Sequence, residues 1–206
     1  MRWHLTYSVT ILAAALFLMG AGDDKQTTEP PPANPAYQEW SQFKPGSFVS
    51  TYQTVLVHQD PALMLESGEP PNAQVYRDTQ KLLMVTPERA VVEDTAAEVG
   101  PGEEIVHPAV KLVFLNDHSA IATTKPPAGE ETKLTEGDEA VQVNGKKIQT
   151  HWVESSIKAG ADESVAKSWL SDEIPGGLVR ETVKKYKNGK LIFDSDETVI
   201  DYQAPS

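Results

Sequence analysis

Two Asn-Gly pairs constrain this chain more than any other feature. Asn144-Gly145 separates Val141-Gln142-Val143 from Lys147-Ile148-Gln149-Thr150-His151-Trp152-Val153, and Asn188-Gly189 separates Glu181 to Tyr186 from Leu191 to Phe193. Asn and Gly accept the positive φ angles of a type I′ turn, whose twist matches that of two antiparallel strands, so each pair predicts a tight β-hairpin. Phe48 to Val57 is rich in Val, Tyr and Thr, and Val75 to Val85 begins with strict alternation. The turn Thr86-Pro87-Glu88-Arg89, with proline at its second position, returns the chain into Ala90-Val91-Val92-Glu93. Lys111 to Leu115, Ala120 to Thr123, Val165 to Leu170 and Glu197 to Tyr202 complete the strand candidates. Pro70-Pro71, Gly100-Pro101-Gly102-Glu103-Glu104 and Pro126-Pro127-Ala128-Gly129-Glu130-Glu131 read as exposed connections.

No long stretch follows a helical period. The pattern predicts an all-β fold, an antiparallel meander of about eight to ten strands forming a curled sheet, half-barrel or barrel, with a β-sandwich as the alternative. One short helix leads it. Asn34-Pro35 is an N-cap followed by proline at the first helical position, and Tyr37, Trp40 and Phe43 then recur on one side until Pro45-Gly46 ends the element.

The N-terminus is expected to lie outside this fold. Residues 1–22 read as a signal peptide: Arg2 supplies the positive start, no charge occurs from Leu5 to Gly22, and small residues precede Asp23-Asp24. An uncleaved membrane anchor is the alternative, and only in that case would the chain hold a membrane. Residues 23–36 carry four prolines and no large apolar side chain, the composition of a disordered linker. Residues 37–206 then form a single β-rich domain. The chain is expected to be exported, to the periplasm or the extracellular space.

Charge and composition exclude several functions. Thirty acids against eighteen bases give a formal charge of −12, without the clustered Lys and Arg that nucleic-acid binding requires. The absence of cysteine excludes disulfides, thiolate metal sites and cysteine nucleophiles. His58, His107, His118 and His151 show no metal-ligand spacing, and Ser47, Ser119 and Ser171 lie outside any nucleophile motif. Gly137-Asp138-Glu139 and Asp194-Ser195-Asp196-Glu197 lack the ligand pattern of a calcium loop, and no glycine-rich phosphate cradle occurs. No catalytic, cofactor-binding or metal-binding residue is therefore assigned, and no cofactor is expected.

The most distinctive stretch is Trp169-Leu170-Ser171-Asp172-Glu173-Ile174-Pro175-Gly176-Gly177. Pro175 fixes φ while Gly176 and Gly177 open conformations closed to other residues, which predicts a sharp corner between strands. Trp152, Trp169, Pro175, Gly176, Gly177, Asn144 and Gly145 are thus expected to be structural. This motif, with Val143-Asn144-Gly145-Lys146, Trp152-Val153-Glu154 and the leader residues Trp40, Phe43, Lys44, Pro45 and Gly46, resembles a group of exported bacterial β-rich proteins without known activity. The resemblance implies export and a β fold and supplies no site. By architecture alone, the expected half-barrel is similar to periplasmic carriers that shield the lipid chains of lipoproteins.

The expected function is a non-catalytic, exported cell-envelope protein. Its candidate partners are an apolar ligand such as a lipid, or another envelope protein. Ala62-Leu63-Met64-Leu65 is a candidate lid for an apolar ligand. The alternative is an envelope hydrolase or metal-dependent enzyme, which would bring at least two histidines or a carboxylate pair into one cleft.

Overall fold

A computed structural model describes residues 34–58, 73–116 and 130–205. The leader, most of the linker, the candidate lid at 62–65, His118, Ser119 and the candidate strand at 120–123 lie outside the described residues. Among the described residues no helix is long and apolar enough to cross a membrane.

One helix, α1 (Pro35–Ser41), precedes ten strands: β1 (Phe48–Val57), β2 (Ala73–Val85), β3 (Arg89–Gly100), β4 (Glu103–Val106), β5 (Val110–Leu115), β6 (Glu130–Val143), β7 (Lys146–Ala159), β8 (Asp162–Leu170), β9 (Leu178–Lys187) and β10 (Lys190–Gln203). The Asn34 side chain accepts from the Ala36 N–H, and Pro35 occupies the first turn. Asn144 and Gly145 take φ of 49° and 79°, Asn188 and Gly189 52° and 72°, so both hairpins turn as the Asn-Gly pairs predict.

Every strand pairing is antiparallel, in the order β4-β3-β2-β1-β10-β9-β8-β7-β6, with β5 on the same side of β3 as β4. The all-β antiparallel meander with one short helix is thus the architecture, and the described strands do not close into a barrel. The described strands form one open sheet with β6 at one edge and β4 and β5 sharing the other. Closure needs a continuous partner for β6, and the opposite edge is split at His107-Pro108-Ala109, where proline has no N–H to donate. The sandwich is excluded because all ten strands belong to one sheet. A local bend occurs where the β6–β7 turn approaches β10, and there Lys146 Nζ donates to the Tyr202 hydroxyl at 3.0 Å.

Two strands extend beyond the sequence expectation. Glu103 and Glu104 lie in β4 and Glu130-Glu131 in β6, rather than in connections.

The core sits at one end of this sheet. Val49 opens β1, Leu82 and Val92 face each other across β2 and β3, Val143 and Ile148 flank the β6–β7 turn, and Val179 and Val199 lie near the same end of β9 and β10. Tyr37 and Trp40 of α1 pack into this cluster. The Tyr37 hydroxyl donates to the Thr86 carbonyl at 2.9 Å, which fixes the helix to the β2–β3 turn. A helix of seven residues has little stability of its own, so it is held by these aromatic contacts.

Candidate functional site

Four local arrangements stand out once the side chains are placed. The first is the corner from Trp169 to Leu178. The Ser171 N–H donates to the Gly177 carbonyl at 2.8 Å, and the Gly177 N–H donates to the Ile174 carbonyl at 2.9 Å. Ile174 and Pro175 are fully buried. Gly176 and Gly177 adopt φ of 80° and 75°, and a Cβ would stand 3.1 Å from Trp40 on Gly176 and 3.1 Å from Glu39 on Gly177. The corner therefore seats directly on α1. Burial there pushes the Glu39 carboxyl up to about 7.

A second arrangement surrounds the two tryptophans that face each other on β7 and β8. The Lys167 ammonium lies 4.0 Å from the Trp152 ring centre and 4.6 Å from that of Trp169, and the Arg180 guanidinium lies 5.3 Å from Trp169. Trp169 Nε1 donates to Glu139, and that bond holds the Glu139 carboxyl below its usual range. Arg180 donates twice to Asp196, at 3.1 and 2.6 Å. These cations have their carboxylate partners within the fold.

The third is a row of carboxyls crossing the sheet beside the core. Leu82 pairs with Val92 and Gln80 with Asp94, so Asp78 and Asp94 are diagonal neighbours on the face that carries the core. Thr51 of β1 stands opposite Asp78, and Glu197 of β10 stands opposite both Gln53 of β1 and Glu181 of β9. The Asp78 and Asp94 carboxyls lie within hydrogen-bonding reach of each other, as Thr51 does of Glu197. Ser168 Oγ of β8 donates to Glu181 at 2.9 Å. Burial, then the bond to Asp94 and the charges of Asp94 and Glu197, push Asp78 up to about 8. Burial also raises Glu197 above the usual carboxylate range.

The fourth is the β4–β5 edge. Ile105, Val106, Val110, Val113 and Leu115 are exposed there, with Val106 at 58% and Val113 at 51%. Leu112 and Phe114 point to the face opposite Val113 and Leu115 and pack against the core. The opposite edge, β6, reads Glu-Glu-Thr-Lys-Leu-Thr-Glu-Gly-Asp-Glu-Ala-Val-Gln-Val and is strongly acidic.

The described histidines occupy three separate places. The His58 N–H donates to the Ile192 carbonyl at the exit of β1, His107 lies between β4 and β5 at 3.4 Å from Glu98, and His151 of β7 lies 3.0 Å from Asp138 of β6. Among the described residues no group of three or more His, Asp and Glu side chains could hold a metal ion. Ser47 is buried and donates to the Lys44 carbonyl, and Ser171 accepts from the Glu173 N–H within the corner. A shallow depression of about 190 Å³ lies far from the core, between the start of β2 at Gln74 and Tyr76 and the β3–β4 turn at Gly100 and Glu103. Sites for small molecules usually enclose about 300–1,000 Å³.

No family model and no curated protein matches the chain. Among solved structures, the chain is similar to a Bacteroides fragilis protein described as a candidate exported protein with a YmcC-like fold. The identity is 9%, the match covers 78% of this chain and 97% of that one, and the TM-score of 0.40 is too low to carry an argument.

Proposed function

We propose that the chain is an exported, non-catalytic cell-envelope protein that binds a protein partner along its β4–β5 edge. The observation that carries this reading is the concentration of exposed apolar side chains there: Ile105, Val106, Val110, Val113 and Leu115 on ten strand residues. A strand edge offers unpaired N–H and C=O groups, and an extended segment of a partner can add to it as a further strand. Soluble proteins commonly protect such edges with charge, as the acidic β6 does, and the apolar β5 has only Lys111. The protein partner is favoured over the apolar ligand because the inner face beyond the core carries Asp78, Asp94, Glu181 and Glu197, which an alkyl chain would leave poorly solvated.

Export rests on the leader, residues 1–22. The chain isolated from the envelope is expected to begin at Asp23, and a chain that keeps Met1 favours the membrane anchor. Docking is tested with a photo-crosslinking amino acid at Val113 and, as control, at Thr132 of β6. A discrete protein adduct at Val113 alone is expected. No adduct at Val113, or a stoichiometric lipid extracted from the purified chain, overturns edge docking.

A further inference from the structure

The carboxyl row is the part of the molecule that neither the core nor the proposed edge explains. Asp78 and Asp94 sit on adjacent strands, and two ionised carboxylates in contact have acceptors only. Each leaves its Oδ1 buried with no hydrogen-bond partner. Orphaned buried oxygens of this kind are rare in folded proteins, and one proton held by the pair supplies the donor that is missing.

No lysine or arginine of these strands faces the pair to take that role. On the same face, β1 presents Thr51 and Gln53, β2 adds Tyr76 and Gln80, and β3 adds Glu98, with His107 beside it. Beyond β1, Glu197 of β10 and Glu181 of β9 follow. Lys185 of β9 is farther along, paired with Phe193, and its ammonium lies 5.1 Å from that ring centre. Arg77 and Lys81 of β2 leave the sheet on the opposite face by strand alternation.

We infer that Asp78 and Asp94 form a proton-held latch between β2 and β3, which releases β3 when the shared proton is lost. Among the described strands β4 and β5 pair with β3 alone, so the latch governs the whole edge that they form. The inference concerns the fold and stands whether or not that edge binds a partner. Asp78, pushed up to about 8, keeps in the folded state a proton that the unfolded chain releases near pH 4. The folded state binds more protons between those values, so stability falls as pH rises through that window and levels off above it.

The test is urea unfolding of the full chain at pH 5 to 8, for wild type, Asp78→Asn and Asp94→Asn. An Asn amide donates a hydrogen bond without titrating. The wild-type unfolding constant is expected to rise relative to Asp78→Asn by a factor approaching about tenfold per pH unit, with Asp94→Asn between the two because burial still raises Asp78 there. A wild-type profile parallel to that of Asp78→Asn overturns the latch. Should both variants fail to fold, the carboxyl carbon shifts of wild type decide: a carboxyl of the pair titrating above pH 7 supports it, and both titrating below pH 5 overturns it. Amide exchange, corrected for its base-catalysed intrinsic rate, reads the release itself. Protection in β3 is expected to fall between pH 7 and 9 while that in β7 and β8 holds, and equal loss in all three overturns the release.

Discussion

The two ends of the same strands obey different rules. At the end where α1 lies, Leu82, Val92, Ile148, Val179 and Val199 are fully or almost fully buried around Trp40, and the glycine corner closes over them. At the other end the strands continue for several residues with polar side chains mixed among apolar ones such as Val55, Leu56, Ile192 and Phe193, most of them half-buried or exposed. That end is held by backbone ladders and cross-strand pairs, each worth about 0.2–1 kcal/mol, whereas one buried aromatic contributes several times as much. A sheet built this way has its folding energy concentrated at one end. The row of Asp94, Asp78, Glu197 and Glu181 runs just past the core, where burial raises the Asp78 and Glu197 carboxyls above the usual carboxylate range but apolar packing no longer dominates.

The sharpest way to break this contrast is Trp40→Ala. Trp40 is 2% exposed and touches the corner, the helix and the sheet together. Its loss is expected to destabilise the chain by about 3–5 kcal/mol, as large-to-small core changes do. Leu134→Ala on β6, a side chain 39% exposed, is expected to lower stability by under about 1 kcal/mol. Urea midpoints measure both, and comparable losses would remove the distinction between the two ends.

Glycine substitutions sharpen it further. Gly176→Ala forces a side chain into positive φ and places its Cβ 3.1 Å from the Trp40 ring. Strain of about 1–2 kcal/mol and overpacking of about 1–3 kcal/mol add to a loss of about 3 kcal/mol. Gly189→Ala has the same φ problem with nothing within 4 Å, and is expected to lose only the strain. Equal effects would show that the corner does not press on α1. Gly137→Ala tests a close approach within the sheet: its Cβ would lie 2.7 Å from Trp152, so the ring must leave Lys167, with a change in tryptophan fluorescence.

A stabilising change is expected at Glu39. Its folded value of about 7 stands above an ordinary Glu near 4.3, so the folded state retains a proton that the unfolded state has lost between those pH values. Stability from this group falls as pH rises through that window. Glu39→Gln is expected to gain about 1–3 kcal/mol at pH 8 and nothing at pH 4. A gain that is equal at both pH values would place its origin in packing instead of ionisation.

How much of this could be read in advance depends on whether a covered face marks the strand. The bounds of β1 and the two Asn-Gly hairpins were legible because alternation and positive-φ residues have local causes. Most of β6 was not, since Glu130 to Ala140 carries no apolar stripe, as expected of a strand far from the core. β4 was hidden behind Gly100-Pro101-Gly102, a turn signal that says nothing about the strand after it. Openness of the sheet was also illegible, because it depends on whether distant edges meet. The carboxyl pair did leave a trace: Asp78 has the parity of Leu82, and Asp94 that of Val92, so each places an acid on a face otherwise apolar at the core. Only the register between β2 and β3 brings them together.

The smallest expected effect on folding is at the β4–β5 edge. Val110 and Leu115 are 56% and 47% exposed, and substitutions at such positions usually change stability by about 0.5 kcal/mol or less. Val110→Lys with Leu115→Lys, with the crosslinker kept at position 113, is therefore expected to leave the urea midpoint unchanged while abolishing the crosslinked adduct. A bare edge strand is itself an aggregation hazard, and the two lysines should raise the solubility limit of the purified chain. If the double variant unfolds, these side chains are packed in the native state and the edge is not free. If it folds and still forms the adduct, the partner sits elsewhere. The outcome that supports docking is an intact fold with its adduct gone, since that separates what holds the sheet together from what its apolar edge is exposed to meet.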